Sequence, residues 1–465
     1  MRRSLLRAAL LAVALLPLAT AGAQSPAPDS VVERFAAAVT AARLRFVQDS
    51  GRLWGQRLDT IPWLGVAGQR VYLSVDPGVA GYERTTGELW TGPLPEGVAP
   101  ANTALEWAGR RWAMIVLPLP ANPRAATRLL LHEAAHVAQP AVLPRVVYHE
   151  GSVGADLLDR PEGRVWLLLE YRALAAALAA REAAQSSAAQ DALLFRARRL
   201  ALATARERER EQALDIVEGL PEYTAWRLTE RDATAFARVL RADALSTTSQ
   251  VRVFPYFTGP AYAFLLDARA PDWRLRVLTT PDLASLLAAT LPQAPTWLEP
   301  ALRADSILAS LADSAALARS ATAAGERYGR VELERAEAAR WAELEGRRAE
   351  LRARFADGPT VRLRPGALRI AFDPRGQVSL GEAGTVMTGV VWKGEGGSEL
   401  QAVAGALVTP DWTELRVPLD SAGFAAGVLQ RAWTWTGNGW TLTLPAGWRI
   451  TAAGTSWVAR PPTRE

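Results

Sequence analysis

The chain has 465 residues, 49% of them hydrophobic, and a formal charge of +5, a length too great for one compact domain. It contains no cysteine, which excludes disulfides and cysteine-held metal modules, so any bound metal must use histidine and carboxylates. Three of the positive charges, Arg2, Arg3 and Arg7, sit at the very start, and the small remainder gives no case for nucleic-acid binding.

The first residues, "MRRSLLRAALLAVALLPLATAGAQ", place those arginines before an apolar run that ends in Ala21-Gly22-Ala23. This is the pattern of a secretory signal peptide cleaved after residue 23. The expected location is therefore the periplasm or the outside of the cell. The apolar run is short for a membrane anchor, and no later stretch offers an integral membrane segment. Beyond the linker, Ser30 and Glu33 form a capping-box pattern that predicts a helix to about residue 48. Residues 50–125 mix strand-like runs with Gly and Pro. One run, "RWAMIVLPLP", reads equally as an edge strand able to receive an extended peptide or as a core strand.

From Ala125 to about Ala288 apolar residues recur at helical spacing. A charged helix follows, with Trp341, Leu344, Leu351 and Phe355 on one stripe. After Asp357 the composition turns to Gly, Thr and Val, and 7 of the chain's 17 tryptophans lie there. "RAWTWTGNGWTLTL" alternates with period two around a turn, which puts Trp433, Trp435, Trp440 and Leu442 on one face of a hairpin. The expected fold class is α+β and multidomain. It comprises an N-terminal α/β portion (24–125), a mainly helical core (126–330), a linking helix (331–356) and a Trp-rich β-sandwich or small barrel (357–465).

The chemistry concentrates in "LLLHEAAHVAQP", residues 129–140. His132 and His136, four apart, share a helix face and can reach one ion. Glu133 is turned about 100° away, beside that ion rather than on it, where a general base belongs. The chain has 3 histidines; the third, His149, lies in a Gly-containing loop and reads as a substrate-side or merely exposed group sooner than as a ligand. A continuation by Gly and His, three and six positions beyond His136, is absent, since Gln139 and Val142 stand there. A glutamate from a following helix would complete the two-histidine, one-glutamate set of catalytic zinc sites. Two glutamates compete: Glu218 in "DIVEGLPEYTAWRL" and Glu170 in the apolar "VWLLLEYRALAAAL".

The stretch at Glu218 resembles the gluzincin metalloproteases, in which a helix after H-E-x-x-H carries an E-G-x-A-E-[FY] motif whose first Glu binds zinc. Glu218, Gly219, Glu222 and Tyr223 match, with Pro221 in place of the usual Ala. The resemblance implies a zincin-like core over roughly residues 110–285. It assigns zinc to His132, His136 and Glu218, gives Glu222 the holding of a ligand, and implies cleavage of peptide or protein substrates; the absence of a G-x-M-E-N exopeptidase signature favours internal cleavage over cleavage from the amino terminus. The "EYRA" at Glu170 is similar to the ligand motif of the prenyl-protease type of gluzincin and keeps Glu170 as the alternative. "FPYFTGPAYAFLLD" is similar to the stretch whose tyrosine polarises the scissile carbonyl. This implies Tyr256, with Tyr262 in reserve, and the family's Lys is replaced by Thr258. A non-catalytic envelope or surface binding protein on a degenerate peptidase scaffold is the rival reading, and it leaves Glu133 without a purpose.

Overall fold

The computed structural model describes residues 28–142, 146, 156–291 and 311–462, apart from 86, 87, 99, 231, 244–248, 367 and 369. Residues 1–23, the expected signal peptide, and His149 lie outside the described residues. The fold is α+β and multidomain, with an N-terminal α/β portion and a C-terminal curled sheet. Two compact units are distinguished: one from Met1–Glu150, Val165–Ser246 and Arg252–Val331, the other from Gly151–Arg164, Thr247–Val251 and Glu332–Glu465.

In the first unit, helix α1 (Pro28–Asp49) is already helical at Pro28, so Ser30 lies within its first turn instead of capping it. Six strands follow: β1 (Trp63–Ala67), β2 (Arg70–Leu73), β3 (Glu83–Arg84), β4 (Trp90–Pro93), β5 (Thr103–Trp107) and β6 (Arg110–Val116). They form one sheet in the order β3-β4-β2-β1-β6-β5. The "RWAMIV" run is β6, paired in parallel with β1 on one side and antiparallel with β5 on the other. It is therefore an interior strand, and β5 is the edge. Alternation along these strands divides the core. Trp63, Ala113 and Ile115 face a cluster with Phe35, Phe46, Leu130, Leu131 and Ala134. Leu64, Val66, Trp112 and Met114 build a second cluster on the opposite face.

Helix α2 (Pro123–Val142) lies against β5 and β6. Its start is specified locally. Pro123 occupies the first position, where no backbone N–H is needed, and the Asn122 Oδ1 accepts from the N–H groups of Arg124 at 2.9 Å and Ala125 at 3.2 Å. The Trp63 Nε1 donates to the Leu130 carbonyl at 2.9 Å and ties the helix to the sheet.

The helical part comprises α3 (Pro161–Ala179), α4 (Glu182–Leu200), α5 (Ala205–Leu214), α6 (Leu220–Thr229), α7 (Ala233–Asp243), α8 (Pro255–Arg269), α9 (Trp273–Arg276), α10 (Leu283–Ala288) and α11 (Leu311–Glu326). A π-helical turn, Asp215–Gly219, separates α5 from α6. Pro221 sits in the first turn of α6, where proline is tolerated. Helix α6 runs antiparallel to α2, as successive contacts show. Glu218 faces His136, Glu222 faces His132, Arg128 stacks on Trp226, and Arg124 pairs with Glu230. Among the described residues no helix is long and apolar enough to cross a membrane.

In the second unit, which takes α12 (Arg330–Arg352) from Glu332 onward, the predicted stripe packs in part, and Trp341 lies instead under Arg340 and Arg348. Leu344, Leu351 and the buried Phe355 pack with Val378, Leu380, Val386 and Leu407. Eleven strands form one sheet that curls into a half-barrel, nearer to the barrel than to the sandwich. The expected hairpin pairs Trp433–Gly437 with Trp440–Leu444. Trp435, Trp440 and Leu442 are buried in its core, whereas Trp433 is 40% exposed at the outer end.

Candidate metal centre

Helix α2 presents His132 and His136 one turn apart, and the π turn presents Glu218 to them. The His132 Nε2 lies 3.0 Å from the His136 Nε2, and the Glu218 Oε2 lies 3.5 Å and 3.4 Å from the two nitrogens. These three residues are the group able to hold a metal ion among the described residues. A tetrahedral ion with ligand bonds of about 2.0–2.1 Å requires ligand-to-ligand edges of about 3.3–3.4 Å. The observed triangle is close to one face of such a tetrahedron. All three residues are buried or nearly so, with side-chain exposures of 4% for His132, 11% for His136 and 2% for Glu218.

Both histidines and Glu218 are oriented from behind. The His132 Nδ1 lies 2.8 Å from the Glu222 Oε2, and the other Glu222 oxygen accepts from the Trp226 Nε1 at 2.8 Å. A carboxylate can only accept, so the His132 Nδ1 carries a proton, which leaves Nε2 as the nitrogen able to face a metal. Gln139 does the same for His136. Its amide nitrogen donates to the carbonyls of Ile216 and Val217, both at 3.2 Å, which leaves its oxygen facing the His136 Nδ1 at 3.1 Å. Those carbonyls belong to the π turn, whose i→i+5 pattern leaves backbone acceptors open to a side chain. The Tyr256 hydroxyl donates to the Glu218 Oε2 at 2.9 Å, and its ring stacks on His132 at 5.4 Å.

Two imidazole nitrogens and a carboxylate oxygen directed at one point favour a cation there. The protein groups alone express this in their proton affinities. Burial would lower the pKa of His132, yet hydrogen bonds to Glu218 and Glu222 outweigh it and push it up to about 10. Burial would raise Glu218, yet the two histidines hold it well below the usual carboxylate range. Glu133 behaves differently. It is 1% exposed, and its Oε2 has no hydrogen-bond partner among the described residues. Burial pushes its pKa up to about 7, only partly offset by His132 and His136. A carboxylate poised near neutrality beside a ligand triangle is suited to proton transfer.

Two glycines bring the elements of the site together. A Cβ added to Gly259 on α8 would stand 2.3 Å from the Gly219 Cα, and one added to Gly219 would stand 2.8 Å from the Gly259 Cα. Only two glycines allow the backbones this approach, which carries Tyr256 to Glu218. Gly259→Ala is expected to lower stability by about 1–3 kcal/mol, read as a drop in the denaturant midpoint. An unchanged midpoint would show that α8 can withdraw freely.

Glu170 is not brought to the histidines. It is fully buried on α3, accepts from the guanidinium groups of Arg196 and Arg199, and accepts from the Tyr262 hydroxyl at 2.8 Å. The partner that a buried carboxylate needs is here a pair of arginines. The same contact takes the reserve Tyr262 away from the ligand triangle. Of the two tyrosines on α8, only Tyr256 reaches Glu218, and it does so at a ligand oxygen. Gln139 and Trp226 carry no metal-site pattern in the sequence. Compared with protein-family models, curated proteins and solved structures, the chain matches none.

Proposed function

We propose that this chain is an exported, zinc-dependent peptidase of the gluzincin type, acting on peptide or protein substrates in the periplasm or outside the cell. The observation that carries the reading is the buried carboxylate of Glu133, whose Oε2 has no hydrogen-bond partner among the described residues, beside a His132–His136–Glu218 triangle. A set of two histidines and one glutamate, in a chain without cysteine, matches the donor chemistry of catalytic zinc sites. Zinc, when bound there, supplies Lewis-acid polarisation of a water and of the scissile carbonyl.

The chain's own groups do the rest. Glu133 takes the proton of the attacking water on its carboxylate and passes it to the departing amine nitrogen as the C–N bond breaks. Glu222 and Gln139 keep His132 and His136 in the tautomers that leave Nε2 free. Tyr256 fixes Glu218 through its hydroxyl. An oxyanion role for Tyr256 requires that hydroxyl to turn toward the substrate carbonyl. The phenylalanine variant separates the two functions. Tyr256→Phe is expected to weaken zinc affinity by about 10–100-fold if the hydroxyl serves Glu218. A fall in kcat with zinc affinity unchanged would assign it to the oxyanion.

Incubation with a chelator is expected to abolish hydrolysis of a mixed peptide library by the mature chain, and added zinc to restore it. Hydrolysis that survives complete metal removal would reject the proposal. Activity also has a defined pH sense. Only ionised Glu133 accepts a proton, so kcat/KM rises with pH as the group ionises. Its pKa is about 7 from the protein groups alone, against an ordinary value of 4.5, and a neighbouring dication favours the carboxylate. The acid limb is therefore expected below pH 7. A rate that increases on acidification below pH 4.5 would contradict the assignment of Glu133.

A further inference from the structure

We infer that Asp215, held by Thr258 and Arg196, is a positioning residue that sets the rotation of the π turn and thereby the reach of Glu218 to the two histidines. The inference rests on the metal reading above. Asp215 and Glu218 are 3 residues apart in the one turn Asp215–Gly219, and each is 2% exposed. In an ordinary α-helix such a pair points to roughly one side. The wider π turn separates them, so that Asp215 meets Thr258 and Arg196 while Glu218 meets His132 and His136.

The attachments are specific. The Thr258 hydroxyl donates to the Asp215 Oδ1 at 2.5 Å, and the Arg196 guanidinium donates to the Asp215 Oδ2. Arg196 also reaches Glu170 at 3.4 Å, Arg199 joins Glu170 to Glu211, and Tyr262 closes the cluster on Glu170. All of these residues are buried. Buried ion pairs of this kind add little stability over apolar side chains of similar volume, and their better-attested use is to fix one arrangement. Three of the four consecutive α8 residues from Tyr256 to Gly259 touch the π turn. Tyr256 holds Glu218, Thr258 holds Asp215, and Gly259 lies against Gly219. A turn fixed at its start, at its ligand and at its end has no freedom to rotate Glu218 away.

The test uses Thr258→Val, which keeps the volume but leaves the Asp215 Oδ1 without its donor, and Thr258→Ser, which restores the hydroxyl. Zinc affinity of the mature chain is measured by competition with a chromophoric chelator, and the unfolding temperature of the metal-free protein is measured alongside. Thr258→Val is expected to weaken zinc binding by about 10–100-fold, as removal of an orienting partner does. Thr258→Ser is expected to bind as the wild type does. Asp215→Asn, which lowers the acceptor strength while keeping the shape, serves if the valine variant does not fold, and the same loss is expected of it. A lowered unfolding temperature with unchanged zinc affinity in the folded variants would overturn the inference and leave Asp215 a structural residue. A wild-type chain that takes up no zinc would instead remove the metal reading, and this inference with it.

Discussion

Replacing Glu133 with glutamine is expected to reduce turnover by about 10²–10⁴-fold or more, the range associated with a positioned proton-transfer group, while zinc binding persists. Glutamine matches the shape of glutamate but cannot take a proton from water. Glu133 is not one of the three ligand residues, and its Oε2 holds nothing in place among the described residues. The substitution therefore removes chemistry with little cost to structure, and burying a neutral amide at a 1% exposed position in place of a carboxylate relieves a desolvation penalty. The matched measurement is the initial rate on a peptide library beside zinc content. Undiminished hydrolysis would reject the mechanism drawn for Glu133. Loss of both rate and zinc would make Glu133 a structural support of the site.

The second large effect separates two glutamates that look alike in the sequence. Glu218→Ala is expected to leave a folded chain that has lost zinc affinity by more than the ~10–100-fold typical of an orienting partner, because a ligand atom itself is removed. Glu170→Ala is expected to act on the fold. It leaves the buried guanidinium groups of Arg196 and Arg199 and the Tyr262 hydroxyl without their shared acceptor. Breaking a buried ion pair from one side costs about 3–5 kcal/mol. Unfolding in denaturant and zinc competition, run on both variants, are expected to give opposite patterns. A Glu170→Ala chain that stays fully stable while losing zinc would move the ligand to α3.

The site was legible where a local rule fixes geometry. Four-residue spacing places His132 and His136 on one helix face whatever surrounds them, and the neighbour Glu133 follows by rotation. Glu218 was legible through its motif, and Pro221 because a first-turn proline leaves the helix after it intact. What remained hidden depends on distant partners. Glu170 in an apolar helix and Glu218 in the π turn are both buried, and only the fold supplies arginines to one and histidines to the other. Tyr256 and Tyr262, six apart on α8, point to different sides of it, so the sequence offered both. Gln139 orients His136 by way of carbonyls exposed in a π turn, an irregularity that no periodicity signals. The "RWAMIV" run allowed an edge or a core strand, and the choice lay with β5, which covers its flank. Period-two alternation located the Trp433–Leu444 hairpin, but the closure of a curled sheet is set by pairings far apart along the chain.

Elemental mass spectrometry of the purified chain, dialysed against zinc and then against metal-free buffer, tests most directly whether His132, His136 and Glu218 hold one zinc ion. One zinc per chain, reduced to background in His132→Ala, is the result predicted. No retained zinc in the wild type, or an equal zinc content in His132→Ala, would contradict it.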